Sequence, residues 1–246
     1  ASHTADDVGD EPLMMAATLP VVVSRARAEG LALARAQGAS VILMDDGFQN
    51  PSVVKDASLI VMDGNRGIGN GCVIPAGPLR APLPPQLART DALIVVGEGN
   101  AAQNIAAELA SRGKPVLAAQ LKPDEASLAV LRGKRALAFA GIGDPARFFN
   151  TLRSSGVEVA RSRAFADHHA FTKGEIDELV ADARRDGLTL VTTEKDFARL
   201  RGADGPPAWA EAIVPFAVTL QFADVALLRR LVTDQLFKAK ERRLRK

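Results

Sequence analysis

Short apolar runs, many of them β-branched, alternate along this chain with longer stretches in which Ala, Leu and Arg recur at helical spacing. That alternation predicts βα units built on a parallel sheet. The runs at 20–23 (Pro-Val-Val-Val), 41–44 (Val-Ile-Leu-Met), 59–62 (Leu-Ile-Val-Met) and 93–96 (Leu-Ile-Val-Val) read as buried strands. A strand covered on both faces needs no polar alternation. Between the first two runs, 26–37 reads as an amphipathic helix closed by Gly38. The segment 64–86 differs, being rich in Gly and Pro with no helical period. A loop of that length inside a compact domain is usually functional or disordered.

A second α/β pattern begins near Gly133. A strand at 136–140 leads into Gly-Ile-Gly-Asp-Pro, which predicts a helix capped by Asp144 with Pro145 at its first position. Thr172-Lys-Gly-Glu175 has the form of a capping box and predicts another helix. A strand at 188–192 and a helix at 194–200 follow, and runs at 116–121 and 217–222 flank this unit and can pair as a hinge. The last predicted helix, 224–246, carries Leu227, Leu228, Leu231 and Leu236 near helical spacing. The expected fold class is α/β, with a mostly parallel sheet lobe at 1–122, a smaller α/β lobe at 123–222 and a C-terminal basic helix at 223–246.

Composition narrows the function classes. The 246 residues are 47% hydrophobic and 24% charged, with a formal net charge of +2. That charge is too small to suggest nucleic acid as a partner. It is unevenly placed, because six of the last nine residues are Lys or Arg. That end reads either as a solvated helix terminus complementing its own dipole or as a patch drawn to anionic lipid. The single cysteine, Cys72, excludes an internal disulfide and fits a reducing compartment. No run approaches the ~18 apolar residues needed to span a membrane, and no signal peptide is seen. The opening Ala-Ser-His-Thr, without an initiator Met, suggests that the true N-terminus lies upstream.

Several residues are candidates for chemistry. Asp45 and Asp46 fall at the end of the 41–44 run, and ligands of open α/β sheets bind beyond the C-terminal ends of strands. Two adjacent carboxylates repel unless a cation or donors offset them, and hard oxygens suit Mg²⁺. An ordinary Asp-Gly turn is the competing reading. Asp10, at the head of a short helical segment reaching Ala17, reads as an N-cap. His168 and His169, two of only three histidines, lie in a loop before the Thr172 cap; consecutive side chains seldom converge on one ion. Arg66 and Arg80 lie in the Gly/Pro loop, and arginine suits bidentate phosphate contacts, although surface arginines are usually only solvated.

Taken together, these segments resemble the tetraacyldisaccharide 4′-kinases of lipid A biosynthesis. The resemblance rests on Asp45-Asp46-Gly47-Phe48-Gln49, on the run Asp63-Gly-Asn-Arg-Gly-Ile-Gly-Asn-Gly71 and on Pro75-Ala-Gly-Pro-Leu-Arg80. Ser2-His3-Thr4, Val8-Gly9-Asp10-Glu11-Pro12, Asp167-His168 and Thr193-Glu194-Lys195-Asp196 keep the family's order over nearly the whole chain. The resemblance implies a P-loop-type sheet lobe and ATP-dependent phosphorylation of the 4′-hydroxyl of a tetraacylated disaccharide 1-phosphate, giving lipid IVA. It implies ATP and Mg²⁺ as cofactors, and the acylated disaccharide 1-phosphate and a membrane surface as partners. It also implies a peripheral location on the cytoplasmic face of the bacterial inner membrane. Asp10 becomes the catalytic base, with His168 paired to it across an interlobe cleft. Asp45 and Asp46 become the metal-binding acids, with Glu11 assisting. Gln49, Asn50, Arg66 and Arg80 lie near the lipid headgroup. Asn50 stands where the family pattern has His, and Ala81 where Glu is common.

The family's Walker A motif, G-x-x-x-x-G-K-[ST], does not occur in this chain. No ATP-phosphate loop residue is therefore assigned, and the expectation is an N-terminally truncated chain with little kinase activity of its own. The alternative from another class is a non-catalytic α/β module that binds a glycolipid or nucleotide. A Rossmann oxidoreductase fits poorly, because no G-x-G-x-x-G follows an early strand and Gly67-Ile-Gly69-Asn-Gly71 does not supply one.

Overall fold

In chain order the elements are α1 (Ala5–Val8), α2 (Asp10–Ala16), α3 (Arg27–Ala36), β1 (Leu59–Asp63), α4 (Leu83–Ala88), β2 (Ala92–Val96) and α5 (Gln103–Ser111). There follow β3 (Val116–Pro123), α6 (Glu125–Leu131), β4 (Arg135–Ala140), α7 (Pro145–Ser154), β5 (Glu158–Ala164) and α8 (Lys173–Asp186). The chain continues with β6 (Thr189–Thr193), α9 (Glu194–Leu200), β7 (Ile213–Phe216), β8 (Val218–Phe222) and α10 (Val225–Leu244). This computed structural model describes residues 3–200 and 209–245; Ser2 of the Ser-His-Thr segment and Lys246 of the basic end lie outside them.

The elements group into two units, one of Ala1–Val23 with Pro123–Thr219 and the other of Ser24–Lys122 with Leu220–Lys246. This differs from the division expected at 1–122, 123–222 and 223–246. The N-terminal residues belong with the later lobe because α2 packs on α9. The C-terminal helix belongs with the earlier lobe because Leu231 enters that core.

In the unit holding residues 24–122, the sheet order is β1-β2-β3-β8, with β1, β2 and β3 parallel. Alternate residues of β2 serve opposite faces. Leu93 packs with Leu87, Ile105 and Leu109 of α4 and α5, whereas Ala92 and Ile94 pack with Leu117, Ala119 and Leu231 of α10. Burial on both faces is why this strand reads as an unbroken apolar run. The expected strands at 20–23 and 41–44 do not form. β1 is the edge of its sheet and pairs with β2, so the 41–44 run has no ladder partner, and Leu43 is 83% exposed. Helix α3 forms as expected but buries none of its side chains, so its sequence amphipathicity has no core to serve.

In the other unit the sheet order is β5-β4-β6-β7, and every pair is parallel. Ala136, Ala138 and Ala140 pack with Phe148, Phe149 and Leu152 of α7 on one face. Leu137 and Phe139 pack with Ile176, Leu179 and Val180 of α8 on the other. The predicted caps are present: Asp144 accepts from the Arg147 amide at 3.1 Å, and Glu175 accepts from the Thr172 amide at 2.8 Å. From β4 the chain passes to β5 on one side and later to β6 on the other, which makes the carboxyl ends of β4 and β6 a topological switch point.

Candidate active site

The switch point gathers charged groups from four segments of one unit. Gly141 follows β4, His168 and His169 follow β5, and Thr193 to Arg199 run from the end of β6 through α9. Asp10 arrives from α2. It is the first residue of that helix and not its N-cap as expected; the cap is Gly9, whose φ of 90° suits glycine. The Asp10 side chain still accepts from the Glu11 amide at 3.0 Å, so it serves the helix N-terminus as well as the site.

Asp10 Oδ2 lies 3.3 Å from His168 Nδ1, so the expected pair forms. It forms within a single unit, not across a cleft between lobes, because residues 1–23 belong with 123–219. His168 adopts a left-handed backbone, φ 54°, and its amide donates to the Gly141 carbonyl at 3.0 Å. The adjacent histidines diverge. His169 Nε2 meets the Glu175 carboxylate at 3.0 Å and stacks on Phe165 with ring centroids 4.9 Å apart. The Thr172 amide, the His169 ring and the Thr172 hydroxyl together hold Glu175 at a pKa of about 2.

Beneath this pair sits Arg199, which the sequence reading did not single out. Its Nη2 donates to Asp10 Oδ2 at 2.6 Å, and Nη1 donates to Asp196 at 3.1 Å. Asp196 is fully buried and also receives the Gly141 amide at 3.1 Å and the Thr193 hydroxyl at 2.8 Å. Burial pushes Asp196 above the ordinary carboxylate range, against the pull of Thr193, the Gly141 amide and Arg199. Asp10 goes the other way. Burial would raise it, but the Arg199 hydrogen bond and charge, with His168, hold it below its usual value. Glu11 is paired with Lys195, so a cation at Glu11 would have to displace that ammonium. The Thr-Glu-Lys-Asp segment thus supplies Lys195 to Glu11 and Asp196 to the buried layer.

The remaining candidates lie in the other unit. Asp46 is in the left-handed region, φ 48°, and its Oδ2 meets Arg80 Nη2 at 3.2 Å, with both side chains largely exposed. Gln49 donates to Gln86 at 2.9 Å, and Asn50 accepts from the Ser52 amide at 2.9 Å. The Arg66 amide donates to Asp63 at 3.2 Å, and Asn70 braces the Gly/Pro loop by donating to the Ala76 carbonyl at 2.8 Å. A side chain at Gly77 would come within 2.1 Å of Asn70 Oδ1, which explains glycine in Pro-Ala-Gly-Pro. Asp45, Asp46, Gln49 and Arg80 line a groove of about 1060 Å³ together with apolar Val41, Leu43 and Val54. The structure therefore brings Asp46 to Arg80 and places Asp45 and Gln49 in the lining of the same groove, whereas Asn50 and Arg66 are not among its lining residues. Among the described residues no group of three or more His, Cys, Asp or Glu side chains could hold a metal. Two adjacent carboxylates still fit Mg²⁺, which takes one or two protein oxygens and completes its shell with water and substrate phosphate.

The chain is similar to known proteins over nearly all of its length. The family model for tetraacyldisaccharide-1-P 4′-kinase matches residues 1–236. The chain is 66% identical to the tetraacyldisaccharide 4′-kinase of Bradyrhizobium diazoefficiens, covering 99% of this chain and 71% of that protein. It is 64% identical to that of Nitrobacter winogradskyi, covering 98% of this chain and 71% of the relative. A crystal structure of LpxK from Aquifex aeolicus, an "apo" form in complex with ATP, superposes with a TM-score of 0.69 at 25% identity. That superposition covers 95% of this chain and 71% of the Aquifex chain. A match over nearly all of its length, with relatives this similar, means that the chain belongs to the tetraacyldisaccharide-1-P 4′-kinase family.

Proposed function

We propose that the activity served by this chain is transfer of the γ-phosphoryl group of ATP to the 4′-hydroxyl of a tetraacylated disaccharide 1-phosphate. The observation that carries the residue assignment is the Asp10–His168 contact at the switch point, with the Asp10 carboxylate held ionised by Arg199. In the transfer, the sugar oxygen forms a bond to the γ-phosphorus while the bond from that phosphorus to the β–γ bridging oxygen breaks, and ADP leaves with that electron pair. The hydroxyl proton passes to Asp10, whose Oδ2 is shared with His168 Nδ1. A carboxylate below its usual pKa is a modest base, but phosphoryl transfer depends more on orientation and charge than on strong deprotonation.

Asp45 and Asp46 are the residues that would hold Mg²⁺, which when bound neutralises phosphate charge. Arg80, whose side chain is largely exposed, can exchange from Asp46 to a phosphate oxygen. Arg80, Gln49, Asn50 and Arg66 are the residues for the disaccharide headgroup and its 1-phosphate. The alternative of a binding module without turnover is not favoured by relatives named as kinases. In the full-length protein, Asp10→Ala is expected to lower kcat by about 10²–10⁴-fold while ATP still binds. Near-normal turnover in that variant would remove Asp10 from the acceptor role.

Peripheral association with the cytoplasmic face of the inner membrane is part of the same reading. It is supported by the lipid substrate and by the last turns of α10, where Lys238, Lys240, Arg243 and Arg245 accompany exposed Phe237 and Leu244. Among the described residues, no helix is long and apolar enough to cross a membrane. Binding to vesicles containing anionic lipid should weaken with salt and with neutralisation of these cations. Binding unaffected by either change would dismiss this role for α10.

A further inference from the structure

Arg199 touches every segment that builds the Asp10–His168 pair. Its Nη2 holds Asp10 at 2.6 Å, and its Nη1 donates to the Gly141 carbonyl at 3.2 Å and the His169 carbonyl at 3.0 Å. The same Gly141 carbonyl receives the His168 amide, which holds the left-handed turn. Asp196, one helical turn earlier, fixes the guanidinium from below at 3.1 Å and is itself tied to the Gly141 amide. The Arg199 and Asp10 side chains are each only 9% exposed. A buried fork whose Nη2 reaches Asp10 while Nη1 serves Gly141, His169 and Asp196 sets the relative position of these segments, which a single point charge cannot do.

We propose that Arg199 is the positioning residue of the Asp10–His168 pair. One arm of its guanidinium sets the carboxylate and the other sets the backbone turn that presents the imidazole. Asp196 and Thr193 hold Arg199 in that orientation. The inference rests on the reading of Asp10 as the acceptor-side carboxylate. It adds a residue that orients the base and that does not itself contact the reacting atoms.

The test uses Arg199→Ala and Arg199→Lys in the full-length protein, with lipid-dependent ATP turnover as one readout and amide hydrogen exchange as the other. Misplacement of the pair should lower kcat by ~10²-fold or more, with KM for ATP and for the lipid changing less than about threefold, since ground-state binding is left intact. Added guanidinium ion at millimolar concentration should restore part of kcat in Arg199→Ala by occupying the vacated site, which a merely destabilised enzyme would not show. Lysine keeps the charge without the fork, so Arg199→Lys should stay slow. A wild-type kcat in Arg199→Lys, or a loss in Arg199→Ala that appears only in KM, would overturn the proposal. Should Arg199→Ala fail to fold, Arg199→Lys alone decides. If the wild-type protein shows no lipid-dependent turnover, the kinase reading fails separately, and exchange then decides the positioning role. The His168 amide should exchange at least about tenfold faster in Arg199→Lys while amides of α8 are unchanged. An unchanged His168 amide would reject the proposal.

Discussion

Two arginine–aspartate pairs of the same chemistry occupy opposite settings in this protein. Arg199 and Asp10 are each 9% exposed at 2.6 Å, whereas Arg80 and Asp46 are 61% and 72% exposed at 3.2 Å. The first pair is embedded in bonds to Asp196, Gly141 and His169, so moving one member strands others. Buried pairs of this kind are costly to desolvate and strongly destabilising to break, while exposed ones contribute little. The difference matches the chemistry each is read to perform. A base must be held in one place before substrate arrives, and a phosphate-binding arginine must be able to change partner.

The contrast is broken most severely from beneath the buried pair. Phe139 is fully buried on β4, with its ring edge-on to Phe165 at 6.5 Å and to Phe171 at 5.6 Å. Those two rings bracket the 166–170 turn that carries both histidines. Phe139→Ala should lower stability by about 3–5 kcal/mol, read from the shift of the denaturant midpoint at unchanged slope. It should also speed exchange of the His168 amide, because the turn loses its floor. If stability falls by less than about 1 kcal/mol, the turn is not held by this core, and the rigidity assigned to the Asp10 site has another source.

How much of this could be read from the sequence follows from the kind of signal each residue leaves. The strands at 93–96, 136–140 and 188–192 are covered on both faces and form close to where their apolar runs predict, and the 59–62 run forms the edge strand although Val61 is 62% exposed. The 41–44 run has the same composition yet forms no strand. Apolarity reports what a segment would bury, not whether a neighbouring strand is available to pair with it. Capping at Asp144 and Thr172 was legible because a cap and its target are three residues apart. Asp10 and His168 were legible through family resemblance, but their membership of one unit was not, since residues 1–23 join a lobe that begins about a hundred positions later in sequence. Arg199 left the faintest trace. Its only local sign is Asp196 at i−3, a spacing that on most helices is an exposed ion pair of little consequence. Its partners at Asp10 and Gly141 lie 189 and 58 positions away.

The smallest effect sharpens the comparison from the exposed side. A double-mutant cycle on Arg80 and Asp46, using alanine at each, should give a coupling energy of about 0–1 kcal/mol. The reason is that two solvated side chains gain little from meeting and lose rotamer freedom when they do. Arg80→Ala alone should leave stability within about 0.5 kcal/mol, while KM for the lipid rises, because the arginine's role is to leave Asp46 for the substrate. Salt should erase what coupling exists, since water reaches both groups. A coupling above about 2 kcal/mol would mean that this pair is as fixed as Arg199–Asp10. Arg80 would then be a structural clamp on the Asp45-Asp46 turn, and its phosphate-binding role would have to be given up.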